Sequence, residues 1–406
     1  MKQSIDSWDL PTSSKIGVGI AGLGLAGGHH IDAVRRLGVA EIVAVASSHP
    51  DLAHEKAARY GIPKIYASFE DLASDPAVDV VHVTTPNHLH RPAILAALRQ
   101  HKHVICDKPL AMTATEASEL LQAADAAGVV HAVTFTYRGN ALVQEARCRI
   151  AQEAVGRIHF VHGAYLQDWL LEETDYSWRL DRSKSGLSCT LADIGSHWCD
   201  LAEHITGLKI ESVLADLTTV IPIRQKPLHD VQTFFKADKV DCAPVKVESE
   251  DLASVLVRFN NGAKGCFSVG QVCAGHKNDL WIEVNGATNS IRWDRARSEE
   301  LWIGHRHQAN EVLPRDQWLL AANARRFAQL PGSIPTGHSE DLLHVLADIY
   351  ATIKLPTNNE RDVPVYATFK DGFRINCLID AILRSHHDGG VWTKVDTSVH
   401  FNSDRF

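Results

Sequence analysis

Three groups of residues in this chain have types and spacing suited to chemistry. Val18-Gly19-Ile20-Ala21 runs into Gly22-Leu23-Gly24-Leu25-Ala26-Gly27, a Gly-x-Gly-x-x-Gly turn between an apolar run and a helical pattern. In that setting Gly22 permits the tight turn, Gly24 lets backbone approach a pyrophosphate, and Gly27 allows close helix–strand packing. The amides at the helix start, from Leu25 and Ala26 onward, then face the phosphates of a dinucleotide. The second group is Cys106-Asp107-Lys108-Pro109, which puts a lysine at the end of the apolar run His103–Cys106. Desolvating an ammonium is costly, so a lysine there needs a partner or a task. Beside a nucleotide it is a candidate for proton chemistry. The third is Asp193-Ile194-Gly195-Ser196-His197. Residues four apart share one helix face, so Asp193 can hold the imidazole of His197, and His197 can take an alcohol proton. The same spacing also fits an exposed ion pair or an N-capping Asp193; Asp200 and His204, which extend the stripe, read as structural.

Weaker candidates surround these. The second strand ends in Ala46-Ser47-Ser48-His49, where an acid would hold the adenosine ribose. Ser47 and Ser48 can bond a ribose without repelling a 2′-phosphate, so NAD(H) and NADP(H) both remain open. Thr84-Thr85-Pro86-Asn87-His88-Leu89-His90 follows another strand of the same crevice. Pro86 and Asn87 read as functional, while His90 fits equally a polar turn opening the next helix. Trp169, Tyr176, Trp178 and Arg179 lie in a turn-rich stretch and suit the C–H faces and hydroxyls of a sugar ring. They could equally cover the sheet or an oligomer contact, with Arg179 leaning to function. The 23 histidines include several close pairs, but none has the pattern of a metal site, and no metal is expected.

The elements that must position these groups follow from periodicity. Ile16–Ala21, Glu41–Ala46, Val80–Val83, His103–Cys106 and Val129–Val133 read as short strands. Helical patterns at Ile31–Arg36, Leu52–Tyr60, Arg91–Gln100 and Ala114–Ala127 separate them. The last has a capping box, Thr113 with Glu116, and stops at Gly128. This alternation predicts βαβ units and a parallel sheet. Beyond Tyr137 come longer runs, Arg157–Tyr165, Ile210–Val220, Asp251–Val269 and Leu280–Ile291, with a hairpin signal at Asn260-Asn261-Gly262. They predict an antiparallel or mixed sheet covered on one face by helices such as Ile194–Thr206. Late helices are expected at Glu340–Tyr350 and Ala367–Arg384.

Composition sets the outer bounds. At 406 residues two domains are expected. A net charge of −8 argues against nucleic acid as a partner. No run approaches the roughly 18–20 apolar residues of a membrane span. Met1–Ser14 is polar and lacks the apolar core of a signal peptide, so it reads as a short arm. Eight scattered cysteines without Cys-x-x-Cys spacing read as reduced thiols in a cytoplasmic protein.

Taken together, Gly22-x-Gly24-x-x-Gly27, Thr85-Pro86-Asn87-x-x-His90, Asp107-Lys108-Pro109, Tyr137-Arg138 and Asp193-x-Gly195-x-His197 resemble the glucose–fructose oxidoreductase/inositol dehydrogenase (Gfo/Idh/MocA) family. The resemblance extends to Asp371-Gly372 and to Arg384-Ser385 with Gly389-Gly390. Asp107 stands where the family often has Glu, and Ser185-Gly186-Leu187-Ser188 where it often has a glycine triplet. The resemblance implies an α/β Rossmann domain, residues 15–137, and an α+β domain with a large, mostly antiparallel open sheet, residues 138–406. The C-terminal helix could pack back on the first domain. That sheet would form a homodimer or homotetramer interface. It also implies NAD(P)-dependent oxidation or reduction at a CH–OH group of a sugar or inositol-type polyol. By position, Thr85, Pro86, Asn87, His90, Asp107 and Lys108 would border the cofactor. Lys108 would orient and polarise the reacting oxygen, His197 would be the acid/base, Asp193 would support both, and Tyr137 and Arg138 would line the pocket. An NAD-dependent glycosidase on the same fold, or a non-catalytic dinucleotide and sugar sensor, are the alternatives.

Overall fold

In the computed structural model, which describes residues 15–47, 50–228, 241–354 and 364–398, the chain forms two compact units. The first holds 15–139 and Gly337–Arg374, the second Asn140–Thr336 and Ile375–Ser398. Gly337–Arg374, which the sequence reading assigned to the second domain, therefore clusters with the first. The arm Met1–Ser14 and Ser48 lie outside the described residues.

The first unit is built on a six-stranded sheet of β1 (Ile16–Ala21), β2 (Ala40–Ala46), β3 (Lys64–Tyr66), β4 (Val80–Val83), β5 (His103–Cys106) and β6 (His131–Val133). Their order is β3-β2-β1-β4-β5-β6 and every pairing is parallel. β1, β4 and most of β5 are buried, as expected of strands covered on both faces, and this explains their continuous Val/Ile runs. Register then does the positioning. Ala21 pairs with Ala46 and Val83, and Val83 with Cys106, so four strands end in one row. The residues that leave that row are Gly22, Ser47, Thr84 and Asp107. They border the point where the strand order reverses, between β1 and β4, which is where such sheets bind ligands.

Local chemistry accounts for several helix boundaries. The Ala114–Ala127 helix starts with Glu116 N–H donating to Thr113 Oγ1 at 3.1 Å and stops at left-handed Gly128, φ 64°. Glu116 Oε2 reaches back to the amide of Met112 at 3.0 Å, one residue beyond the usual box. The first helix spans Leu25–Leu37, six residues earlier than the Ile31 start read from the sequence. Gly27 and Gly28 weaken its helical pattern, and packing overrides that local preference. The helix His338–Lys354 joins this unit because Leu342, Leu346, Ile349 and Tyr350 complete the core formed by Ile31, Val34 and Val45.

In the second unit β7 (Ile158–Leu166), β8 (Ile210–Thr218), β9 (Ile223–Pro227), β10 (Cys242–Lys246), β11 (Leu252–Phe259), β12 (Lys264–Gly270), β13 (Asp279–Gly286), β14 (Asn289–Asp294), β15 (Glu300–His305), β16 (Glu311–Pro314) and β17 (Thr393–Lys394) follow in chain order. Nine of them make a sheet in the order β16-β15-β14-β13-β7-β12-β11-β8-β17, while β9 and β10 pair apart. All pairings in the large sheet are antiparallel except β7 with β12. The long run Asp251–Val269 is a hairpin that turns at Gly262, φ 86°. β11 alternates buried and exposed along its length, so Val255, Val257 and Phe259 face the core. Trp198, on the helix Ser196–Thr206, stacks on Phe267 of β12 with ring centroids 4.3 Å apart. That helix does not begin at Ile194 as a regular α-turn. Leu191–Gly195 is a π-helical segment that carries Asp193, and such segments often mark functional sites.

Candidate active site

At the glycine turn the structure separates three roles. Gly22 has φ +97°, and a Cβ there would lie 3.0 Å from the backbone of Thr84. A Cβ on Gly27 would stand 2.4 Å from the Gly22 carbonyl oxygen, so only glycine lets the helix seat against the turn. At Gly24 an added Cβ meets nothing within 4 Å. Gly24 and Leu25 are exposed, Ala26 is half-buried, and no side chain caps the helix. Its first amides therefore point outward, an anion-binding end that suits a pyrophosphate. Thr84 Oγ1 fastens the turn by donating to the carbonyls of Gly22 at 2.7 Å and Ala21 at 3.1 Å. Lys56 Nζ donates to the Leu23 carbonyl at 2.8 Å, a cation at the turn that the sequence reading missed.

The next strand ends build the rest of this edge. Pro86 precedes a 3-10 turn, Asn87–Leu89, in which Asn87 is buried. His90 is buried with Nε2 2.9 Å from the Thr85 carbonyl and Nδ1 2.9 Å from that of Pro109. It thus links the loop after β4 to the loop that carries Lys108. Burial pushes its pKa down, with Asp107 and the carbonyls opposing. A neutral ring has one N–H and satisfies one of the two carbonyls at a time. Asp107 Oδ1 accepts from Lys108 N at 2.9 Å and Thr134 Oγ1 at 3.1 Å, which fixes the residue before the lysine. Lys108 and Ser47 are half-buried at the same row of strand ends. Tyr137 and Arg138 are buried in the 3-10 turn Thr136–Gly139, where Arg138 pairs with Asp371 at 3.5 Å.

The second unit gathers the other candidates around Asp193. Its Oδ1 accepts from Arg179 Nε at 3.1 Å and its Oδ2 from Gln271 Nε2 at 2.8 Å. The Arg179 guanidinium lies over the rings of Trp178, 4.6 Å from the centroid, and Trp169, 6.0 Å. Two indole faces therefore hold the cation that holds the carboxylate. His197 is buried, with its ring 6.2 Å from that of Tyr165. Glu250 is buried under the start of this helical segment and accepts from Ser188 Oγ at 2.6 Å, Leu191 N at 2.8 Å and Cys189 N at 3.2 Å. Burial raises its pKa, and these donors oppose the rise. His204 lies 3.0 Å from Gln144 Nε2 and 2.9 Å from Arg147 Nη1, a packing role one turn and more from the site. Sequence reasoning missed Gln271 and Glu250, whose amide and carboxyl show no periodicity or motif. Among the described residues no three His, Cys, Asp or Glu side chains are placed to hold a metal ion.

Comparison with known proteins bears on both units. A family model described as an oxidoreductase family with an NAD-binding Rossmann fold matches residues 16–135, and the GFO/IDH/MocA C-terminal domain matches 143–292. A levoglucosan dehydrogenase of Pseudarthrobacter phenanthrenivorans is 31% identical over 351 residues, 84% of this chain and 86% of that protein. The myo-inositol 2-dehydrogenase of Thermotoga maritima is 25% identical over 280 residues, 69% of this chain and 75% of that protein. A solved structure of levoglucosan dehydrogenase with NADH and L-sorbose superposes with a TM-score of 0.82 at 28% identity, covering 94% of this chain and 99% of that one.

Proposed function

The chain belongs to the GFO/IDH/MocA oxidoreductases, with their NAD-binding Rossmann fold, and on that premise we propose that it oxidises a CH–OH group of a sugar, sugar derivative or inositol-type polyol, or reduces the corresponding ketone. The observation that carries this reading is similarity along 84% of the chain to an enzyme named for a sugar substrate, with the Lys108 and Asp193–His197 motifs intact. When bound, the nicotinamide supplies the hydride acceptor or donor. Lys108 holds the reacting oxygen and stabilises charge on it, His197 takes or returns the hydroxyl proton, and Asp193 fixes the geometry of both histidine and substrate. Trp169, Trp178 and Arg179 offer ring faces and donors to a polyhydroxylated substrate. Tyr137, Arg138, Asn87, Thr85 and Pro86 complete the binding surfaces in this reading. Ser47 in place of an acid after β2 is compatible with NAD(H) and does not repel NADP(H).

The protein is a homo-oligomer in this reading, joined through the large sheet, whose outer face carries exposed Phe160 and Leu256. A cytoplasmic location is supported by free cysteines throughout the described residues, among which no helix is long and apolar enough to cross a membrane. The test is a panel of levoglucosan, L-sorbose, myo-inositol and 1,5-anhydro-D-fructose with NAD, NADP and their reduced forms, followed at the nicotinamide absorbance. At least one polyol or ketone should drive stoichiometric cofactor turnover. Tight NADH binding with no turnover across the panel would overturn the proposal.

A further inference from the structure

Gln271 is fully buried at the end of β12, with its backbone clamped on both sides: its N–H donates to Asp251 O at 3.0 Å and its carbonyl accepts from Leu170 N at 3.1 Å. A buried carboxamide has a definite polarity only if its partners impose one. Here they do. An ionised Asp193 can only accept, so Gln271 must turn Nε2 to Asp193 Oδ2, at 2.8 Å. Its Oε1 then accepts from Thr190 Oγ1 at 2.9 Å and from Cys189 Sγ at 3.7 Å. The second N–H of Gln271 reaches Gln167 Oε1 at 3.4 Å, and that oxygen also accepts from Trp169 Nε1 at 2.8 Å. An indole nitrogen can only donate, so Gln167 is fixed as well. Its own amide donates to Asn278 Oδ1 at 3.0 Å, which Tyr165 Oη also reaches, at 2.6 Å. None of the amides of Gln271, Gln167 and Asn278 can flip without setting donor against donor.

We propose that Gln271 is a positioning residue for catalysis, one that, with Arg179, holds Asp193 as an oriented carboxylate. The inference rests on the reading of Asp193 as part of the reacting site. Charged and titratable groups near this carboxylate include Arg179 beside it, His197 on the same helical segment, Cys189 just before that segment, Glu250 bonded to the amides of Cys189 and Leu191, and Asp251, whose carbonyl holds the Gln271 N–H. The amide supplies what water or a lysine would not: a neutral donor that cannot lose its proton and cannot rotate away. Asp193 thereby stays ionised and aligned through each proton transfer at His197.

Gln271→Glu gives the sharpest test, because the carboxyl has the shape of the amide but can ionise. Protonated, it donates to Asp193 Oδ2 as the amide does; ionised, it sets two carboxylates within hydrogen-bond distance. The ratio of variant to wild-type kcat should be near unity at low pH. It should fall at least tenfold, reversibly, as pH rises toward 9, with KM for NAD unchanged. Gln271→Met should lower kcat at least tenfold at every pH. Thr190→Val, which removes the hydroxyl that orients the Gln271 carbonyl oxygen, should cost threefold or more in kcat and leave KM for NAD unchanged. NADH binding and thermal melting establish that each variant is folded. A variant-to-wild-type ratio flat across pH for Gln271→Glu, or full activity in Gln271→Met or Thr190→Val, overturns the role of Gln271. Asp193→Asn, measured alongside, separates the two readings: unaltered turnover there defeats the assignment of Asp193 itself.

Discussion

Acid should loosen the first unit through one buried imidazole. His30, on the helix Leu25–Leu37, sets Nδ1 2.9 Å from Nδ1 of His82 on β4, and His82 Nε2 lies 2.8 Å from the hydroxyl of Tyr350. A tyrosine hydroxyl donating to His82 Nε2 leaves His82 Nδ1 to donate to His30 Nδ1. A proton added to His30 Nδ1 would then oppose the N–H of His82. Burial lowers the His30 pKa to about 4, with Asp107 opposing and His29 adding to the fall. The sign follows from linkage: above the ordinary value of 6.5 neither state is charged, and as pH falls the unfolded chain takes up the proton first. Stability contributed by the neutral ring is thus complete above 6.5 and is lost down to about 4. The total is about 3 kcal/mol, and about 2 kcal/mol of it disappears between pH 7.5 and 5.0. Burial also pushes His82 well below its ordinary value, which acts in the same direction. The assay is hydrogen exchange of β4 and the Leu25–Leu37 helix, read as opening free energies at the two pH values. His30→Gln keeps an acceptor for His82 but cannot titrate, so its opening energies should fall by about 2 kcal/mol less than those of the wild type. Parallel pH dependences in the two proteins would refute the reasoning.

Two further outcomes test the site. Lys108→Ala should reduce turnover by roughly 10²–10⁴-fold while NADH affinity, measured by fluorescence, changes only a few-fold; retained turnover would remove Lys108 from the mechanism. Gly24→Ala and Gly27→Ala should part company. A Cβ at Gly24 meets open space and should leave the melting temperature unchanged while weakening NADH binding at least tenfold. A Cβ at Gly27, 2.4 Å from the Gly22 oxygen, should lower both stability and NADH binding. Equal behaviour of the two in calorimetry would show that pyrophosphate approach is not what Gly24 provides.

What the sequence made legible is what periodicity and backbone rules control. The Val/Ile strands, the glycine turn and the Thr113 and Gly128 helix ends could be read because each rests on neighbours within a few residues. β3 escaped because three residues carry no period, and the hairpin Asp279–Asp294 was read as one run because its two-residue turn, Ala287-Thr288, interrupts the apolar pattern only briefly. Asp193 and His197 were visible as a pair, but the π segment beneath Asp193 was not, since a wider turn leaves the same residues in the same order. Gln271 could not be found at all from the sequence: its partner Asp193 is 78 positions away, and a glutamine announces neither charge nor burial. Long-range polar pairs are set by topology, and topology is not local.

The return of Gly337–Arg374 to the first unit has a consequence for how the chain is made. Helix His338–Lys354 contributes Leu342, Leu346 and Tyr350 to a core whose other half emerges from the ribosome some 200 residues earlier, across the span Asn140–Thr336. At about 5–20 residues per second that wait is roughly 10–40 s. The amino-terminal half must spend it with Ile31 and Val34 uncovered, while Asn140–Thr336 is synthesised and itself still awaits Ile375–Ser398. Each unit therefore closes only on a segment from the last fifth of the chain, the first on Gly337–Arg374 and the second on Ile375–Ser398.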